Sequence, residues 1–161
     1  MPILHARKPT AKATDPDGNE VEVPPQQVLI GEGPLIGVNV GVPSDLADKW
    51  RNIGVDVPDP VSGQALIDTG ASTTCVDEDV ARQLALPTVD VARMSSASGQ
   101  SEQSVHPVQL DVAHSDLIIE SAKSIAADLD DQGLVALVGR DMLSQCTLHY
   151  NGLTGDFTLS M

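Results

Sequence analysis

Ala65-Leu66-Ile67-Asp68-Thr69-Gly70-Ala71-Ser72 passes from apolar to turn-forming side chains within a few residues. Ala65, Leu66 and Ile67 read as a short buried strand, and Asp68-Thr69-Gly70 as a tight turn at its end. A carboxylate delivered by an apolar strand is costly to bury unless something pairs with it or uses it. The plain alternative is an Asx-turn in which the turn's own N–H groups satisfy Asp68. Further along the chain, Ala136-Leu137-Val138-Gly139-Arg140-Asp141 repeats the order of apolar strand, glycine-bearing turn and helix start. The echo is too short to prove duplication, but a chain built from two similar halves would show it.

The totals narrow the field. A chain of 161 residues carries one domain with a real core, and two would be a squeeze. One Trp, one Tyr and one Phe leave the core to Val, Leu, Ile and Ala, a bias that favours strands. The net charge of −14 argues against nucleic acid or an anionic membrane as partner, and its simplest consequence is solubility. Cys75 and Cys146 make no metal pattern and no disulfide framework, so reduced thiols are expected. The first residues lack an apolar signal core, and no run of about 18 apolar residues occurs. These features predict a cytoplasmic protein.

Residues 1–26 are polar and turn-rich and predict an extension with at most a weak hairpin, leaving 27–161 as the domain. Val28-Leu29-Ile30 and Leu35 to Val40 read as strands around the turn Gly31-Glu32-Gly33-Pro34. Ser44 is placed as the cap of a short helix carrying Leu46, Trp50 and Ile53, with Trp50 as core or interface filling. Asp77 caps a helix that opens with Glu78 and Asp79 and is stopped by Pro87. Alternation across residues 89–113 predicts two strands joined by the small, polar tip of 95–104. Leu117-Ile118-Ile119 and Leu134 to Val138 are further apolar runs. Residues 147–150 and 157–159 predict a terminal hairpin turning at Asn151-Gly152.

On its Asp-Thr-Gly-Ala turn and on Leu137-Val138-Gly139-Arg140-Asp141-Met142-Leu143, the chain resembles the retropepsin-like aspartic proteases over about residues 34–161. The resemblance implies an all-β fold, mainly strands with one or two short helices, closed as the acid protease barrel and dimeric. It implies an endopeptidase with no cofactor and no metal. Each chain of a homodimer gives one Asp, and this chain has one such motif. Two carboxylates about 3 Å apart share a proton, so that one serves as base and the other as acid toward water and the peptide carbonyl. Asp68 would be the catalytic residue. Thr69, Gly70 and Ala71 would support the loop, and Leu66, Leu137 and Val138 would line pockets for an extended peptide or protein substrate. Gly139, Arg140 and Asp141 would brace the site. Ser96, Ala97, Ser98, Gly99 and Gln100 would form a flap over the substrate.

The chain also departs from that family's retroviral members. Ser72 stands where they carry an acid that pairs with the downstream Arg, so Arg140 is left to Asp141 or to a carboxylate of the other chain. The flap has Gly99 alone where theirs have several glycines, and residues 43–63 exceed the minimal fold. A dimeric scaffold without turnover is the competing reading, and an amino-terminal arm that occludes the cleft is a third. Asp128 to Gly133 starts like a calcium loop but has Gly139 where the twelfth-position Glu belongs. Ser96-Ala97-Ser98-Gly99 lacks the first glycine of a nucleophile elbow. His5, His106, His114 and His149 have no ligand spacing, and Cys75 reads as an inert buried thiol.

Overall fold

Aliphatic residues alternating with polar ones put most of the chain into strands. In the computed structural model residues 1–96 and 99–161 are described, with side chains for all of these except 94–96, 99 and 100. The order begins β1 (Ile3–Arg7), β2 (Ala11–Thr14), β3 (Glu20–Val23), α1 (Pro25–Glu32), β4 (Leu35–Gly41) and α2 (Ser44–Asn52). It continues with β5 (Val61–Ile67), β6 (Cys75–Asp77), α3 (Glu78–Gln83), β7 (Asp90–Ser96), β8 (Gly99–Val112) and β9 (Ile118–Ala127). A 3-10 turn at Asp130–Gln132 leads to β10 (Ala136–Val138), α4 (Arg140–Leu143), β11 (Thr147–Asn151) and β12 (Asp156–Ser160).

Six strands close on themselves in the order β4-β5-β10-β6-β9-β8, with β8 pairing back to β4 and β7 hanging from β8 as an edge. Closure leaves β7 as the free edge of this sheet. Inside lie Val38, Val40, Ala65, Ile67, Val76, Val108, Leu110, Ala136 and Val138, an aliphatic core as the composition requires. The strand echo is a physical pairing: β5 and β10 run parallel with Ala65 beside Ala136, Leu66 beside Leu137 and Ile67 beside Val138.

Several expectations give way to tertiary context. Val28-Leu29-Ile30 belongs to a helix, because Pro25 starts α1 at its first turn and Gly33, with φ of +73°, ends it. Three apolar residues cannot distinguish strand from helix on their own. Residues 3–7 are no free arm: β1 pairs with β12, which pairs with β11, while the weak hairpin is β2 with β3. Ser44 is the first residue of α2 after Pro43, and its hydroxyl donates to Gln109 Oε1 at 2.9 Å instead of capping. The Asn151-Gly152 pair opens a longer loop, since β12 starts at Asp156 opposite Asn151. The helices are short but number four among the described residues.

Other expectations stand. Asp77 caps α3, its carboxylate accepting from Asp79 and Val80 N–H. Trp50 packs against the core from α2. β7 and β8 pair antiparallel from Asp90 with Val105 to Ser96 with Gly99, as the alternation predicts.

Candidate active site

β5 ends at Ile67 and hands the chain to Asp68, whose N–H donates to Val138 O at 3.0 Å. The site therefore starts where the two echoing strands end together. Asp68 is half-buried, and its Oδ1 accepts the Gly70 N–H at 2.7 Å. A Cβ at Gly70 would stand 3.0 Å from that same oxygen, so any larger residue there would push the carboxylate aside by a few tenths of an ångström. Among the described residues no cation pairs with Asp68. Among the described residues the Gly70 N–H is its one hydrogen-bond donor, which leaves lone pairs free on an acceptor held in place but not consumed.

The turn is held from the far side by α4. Arg140 N–H donates to Ala71 O at 3.0 Å, and its Nη1 donates to Thr69 O at 2.9 Å and Gly70 O at 3.2 Å. Arg140 thus grips main-chain carbonyls, and no acid at Ser72 is needed to occupy it. The alternative of Asp141 as its partner fails, because that carboxylate points the other way. Asp141 accepts from Thr74 N–H at 2.9 and 3.0 Å, from the Thr74 hydroxyl at 2.7 Å and from Met142 N–H at 2.8 Å. The fully buried Thr74 in turn accepts the Gly139 N–H at 3.0 Å. A Cβ on Gly139 would fall 2.5 Å from the carbonyl carbon of Thr73, so no other residue fits where the chains cross. Thr74 escaped the sequence reading. The Ser72-Thr73-Thr74 run after the motif was its only signal.

Side-chain alternation sorts the expected pocket residues. Leu66 and Leu137 sit side by side, half-buried, on the outer face of the barrel. Val138 points inward and is 0 % exposed, so it fills the core and lines no pocket. Cys75 joins the outer row opposite Leu137, followed by Ile125 opposite Cys75 and Val105 opposite Ile125. An apolar row thus runs across five strands from the Asp68 turn to the root of the β7–β8 hairpin. Burial raises the Cys75 thiol above its ordinary range, and the charges of Asp141 and Asp68 push it the same way. It is protonated at neutral pH and packs as a small apolar group.

Of the expected flap, Ala97 and Ser98 lie outside the described residues. Ser96 pairs with Gly99 and Ser95 with Gln100, as a hairpin requires. A cavity of about 250 Å³ lies at the root of this hairpin, with Asp90, Val91 and Ala92 on one side and Thr73, Lys123 and Ile125 on the other. The larger cavity of about 680 Å³, around α2 and the loop to Pro60, lies at the other end of β4 and is remote from Asp68.

No curated protein matches the chain significantly. Among solved structures it is similar to the protease of simian foamy virus (mac), at 16% identity and TM-score 0.44, over 69% of this chain and 92% of that one. It is also similar to a retropepsin-like aspartic protease from Rickettsia conorii, at 16% identity and TM-score 0.45, over 98% of this chain and 90% of that one. Residues 58–145, more than half the chain, match the model of the gag-polyprotein putative aspartyl protease. That span holds Asp68, the Arg140 clasp and the Thr74–Asp141 bonds, and the chain belongs to the family of gag-polyprotein putative aspartyl proteases.

Proposed function

We propose that the chain is an aspartic endopeptidase that works as a homodimer, with Asp68 from each protomer forming the catalytic pair. The observation that carries this reading is the Asp68 carboxylate at the end of two paired strands, which among the described residues accepts from the Gly70 N–H alone. One carboxylate cannot serve as acid and base at once, so a second copy must bring its own Asp68 to the first. In the pair, the ionised Asp68 takes a proton from water, whose oxygen attacks the peptide carbonyl. The protonated Asp68 donates to the carbonyl oxygen as charge develops there. Collapse of the tetrahedral species breaks the C–N bond, and the amine leaves with a proton from the pair. The row from Leu66 to Val105 suits apolar side chains of an extended peptide. No metal or organic cofactor enters this scheme, and a cytoplasmic setting is part of the proposal on sequence grounds.

The test is cleavage of an unstructured protein by the wild type and by Asp68→Asn, each checked for solution mass. The expected result is cleavage by a dimeric wild type and none by a dimeric Asp68→Asn. Equal cleavage by the variant, or a strict monomer at tens of micromolar, would overturn the reading. A dimer that never cleaves would favour the scaffold instead.

A further inference from the structure

Of the buried titratable side chains among the described residues, Lys8, Asp77 and His106, the last stands beside the cavity at the hairpin root. His106 is 7 % exposed and sits in β8 where the pairing with β9 slips between His106 and Val108, the intervening Pro107 having no N–H to offer the ladder. Its Nδ1 lies 3.1 Å from Leu86 O and 3.1 Å from Pro87 O. Both neighbours only accept, so Nδ1 carries a proton and donates to them. Nε2 lies 2.8 Å from Ser104 Oγ and, in the neutral ring, accepts from that hydroxyl. One imidazole therefore ties the segment after α3 to the root of the β7–β8 hairpin. That root is next to the cleft: Val89 N–H donates to Val105 O at 2.8 Å, and Val105, Val91 and Ala92 line the cavity shared with Thr73 and Ile125.

We infer that His106 is a positioning residue for substrate binding, fixing the root of the β7–β8 hairpin and with it the cavity wall that faces Thr73. Its effect on catalysis rests on the protease reading, while its effect on the hairpin does not. The ladder of β8 with β9 is interrupted between His106 and Val108, a point where the hairpin can swing, and the imidazole ties its hairpin side to the segment after α3. Loss of the bridge lets the wall of Val91, Ala92 and Val105 wander, which weakens substrate binding more than the chemical step.

The experiment compares the full-length wild type, His106→Leu, His106→Asn and Ser104→Ala by amide hydrogen exchange and by kinetics on an apolar fluorogenic peptide. In His106→Leu, exchange over residues 89–92 and 101–105 should rise about tenfold while β4 and β5 keep wild-type protection. KM should rise about tenfold with kcat within about twofold. His106→Asn, whose amide N–H replaces the Nδ1 donor, should recover most of both. Ser104→Ala should speed root exchange about threefold. The inference is overturned if root exchange is unchanged, if β4 and β5 loosen equally, or if Asn does no better than Leu. Should His106→Leu not fold, the Asn and Ser104→Ala variants decide by the same exchange readout. If the wild type cleaves nothing, the protease reading fails and the exchange data still judge the bridge.

Discussion

Asp68 and Asp141 stand just past the ends of two paired, echoing strands, yet their carboxylates have opposite fates. Among the described residues Asp68 takes one hydrogen bond, from Gly70 N–H, which leaves the rest of its acceptor capacity open. Asp141 spends its carboxylate on the Thr74 N–H and hydroxyl and the Met142 N–H, binding the crossing of the two turns together. The difference comes from an offset of two positions after the paired strand ends. The first strand is followed directly by Asp, whereas the second is followed by Gly139 and Arg140, which carry Asp141 onto the first turn of α4 and aim it inward. A repeated strand can thus supply a reactive group in one copy and the brace for that group in the other.

The largest expected effect breaks the first half of the contrast. Asp68→Asn should lower kcat at least about a thousandfold while leaving the denaturation midpoint near the wild-type value. Asp141→Ala should do the reverse in kind, costing about 2–4 kcal/mol in urea unfolding because buried Thr74 donors lose their acceptor. A wild-type stability for that variant would end the idea of a brace. The glycines sharpen the same contrast. Gly139→Ala pushes a methyl into the Thr73 backbone and should cost about 2–3 kcal/mol. Gly70→Ala should cost less than about 1 kcal/mol and show instead as lower kcat, since its methyl meets the Asp68 oxygen. Arg140→Met removes the hydrogen bonds to Thr69 and Gly70 carbonyls and should cost about 1 kcal/mol in unfolding measurements.

The smallest effect is electrostatic. Because the folded state holds the Cys75 proton more tightly than the unfolded chain, the stability tied to it is full below the ordinary thiol range and falls as pH rises from about 8.5. In a Cys146→Ala background, which removes the other raised thiol, iodoacetamide labelling of Cys75 should be slow at pH 8. Labelling should quicken in Asp141→Asn and, less, in Asp68→Asn, because each removes a charge that opposes the thiolate. Equal rates in all three would show that neither carboxylate acts on the thiol.

Much of this was legible in order along the chain. The strand before Asp68, the cap at Asp77, the pairing of β7 with β8 and the Gly139-to-Leu143 turn and helix follow from local chemistry that tertiary context did not overrule. Long-range partners were not legible. Thr74 carries little local signal because its partners are Asp141 and Gly139, more than sixty residues away. His106 looked like a strand residue with no role because its acceptors, the Leu86 and Pro87 carbonyls, carry no side-chain signature. The strand Ile3–Arg7 was hidden by polar neighbours until β12 gave its N–H and C=O groups somewhere to go.

By itself the sequence determined the composition of the core, the carboxylate at a strand end and the glycines that let the backbone close around it. These are local matters of side-chain volume, period and allowed φ. The tertiary structure alone decided that the two echoing strands lie in register, that Arg140 grips carbonyls in place of an acid, and that Val138 faces inward while Leu137 faces out. Each of those depends on which strand ends up beside which, and hydrogen-bond satisfaction across the closed barrel selects that pairing only when the whole chain is folded.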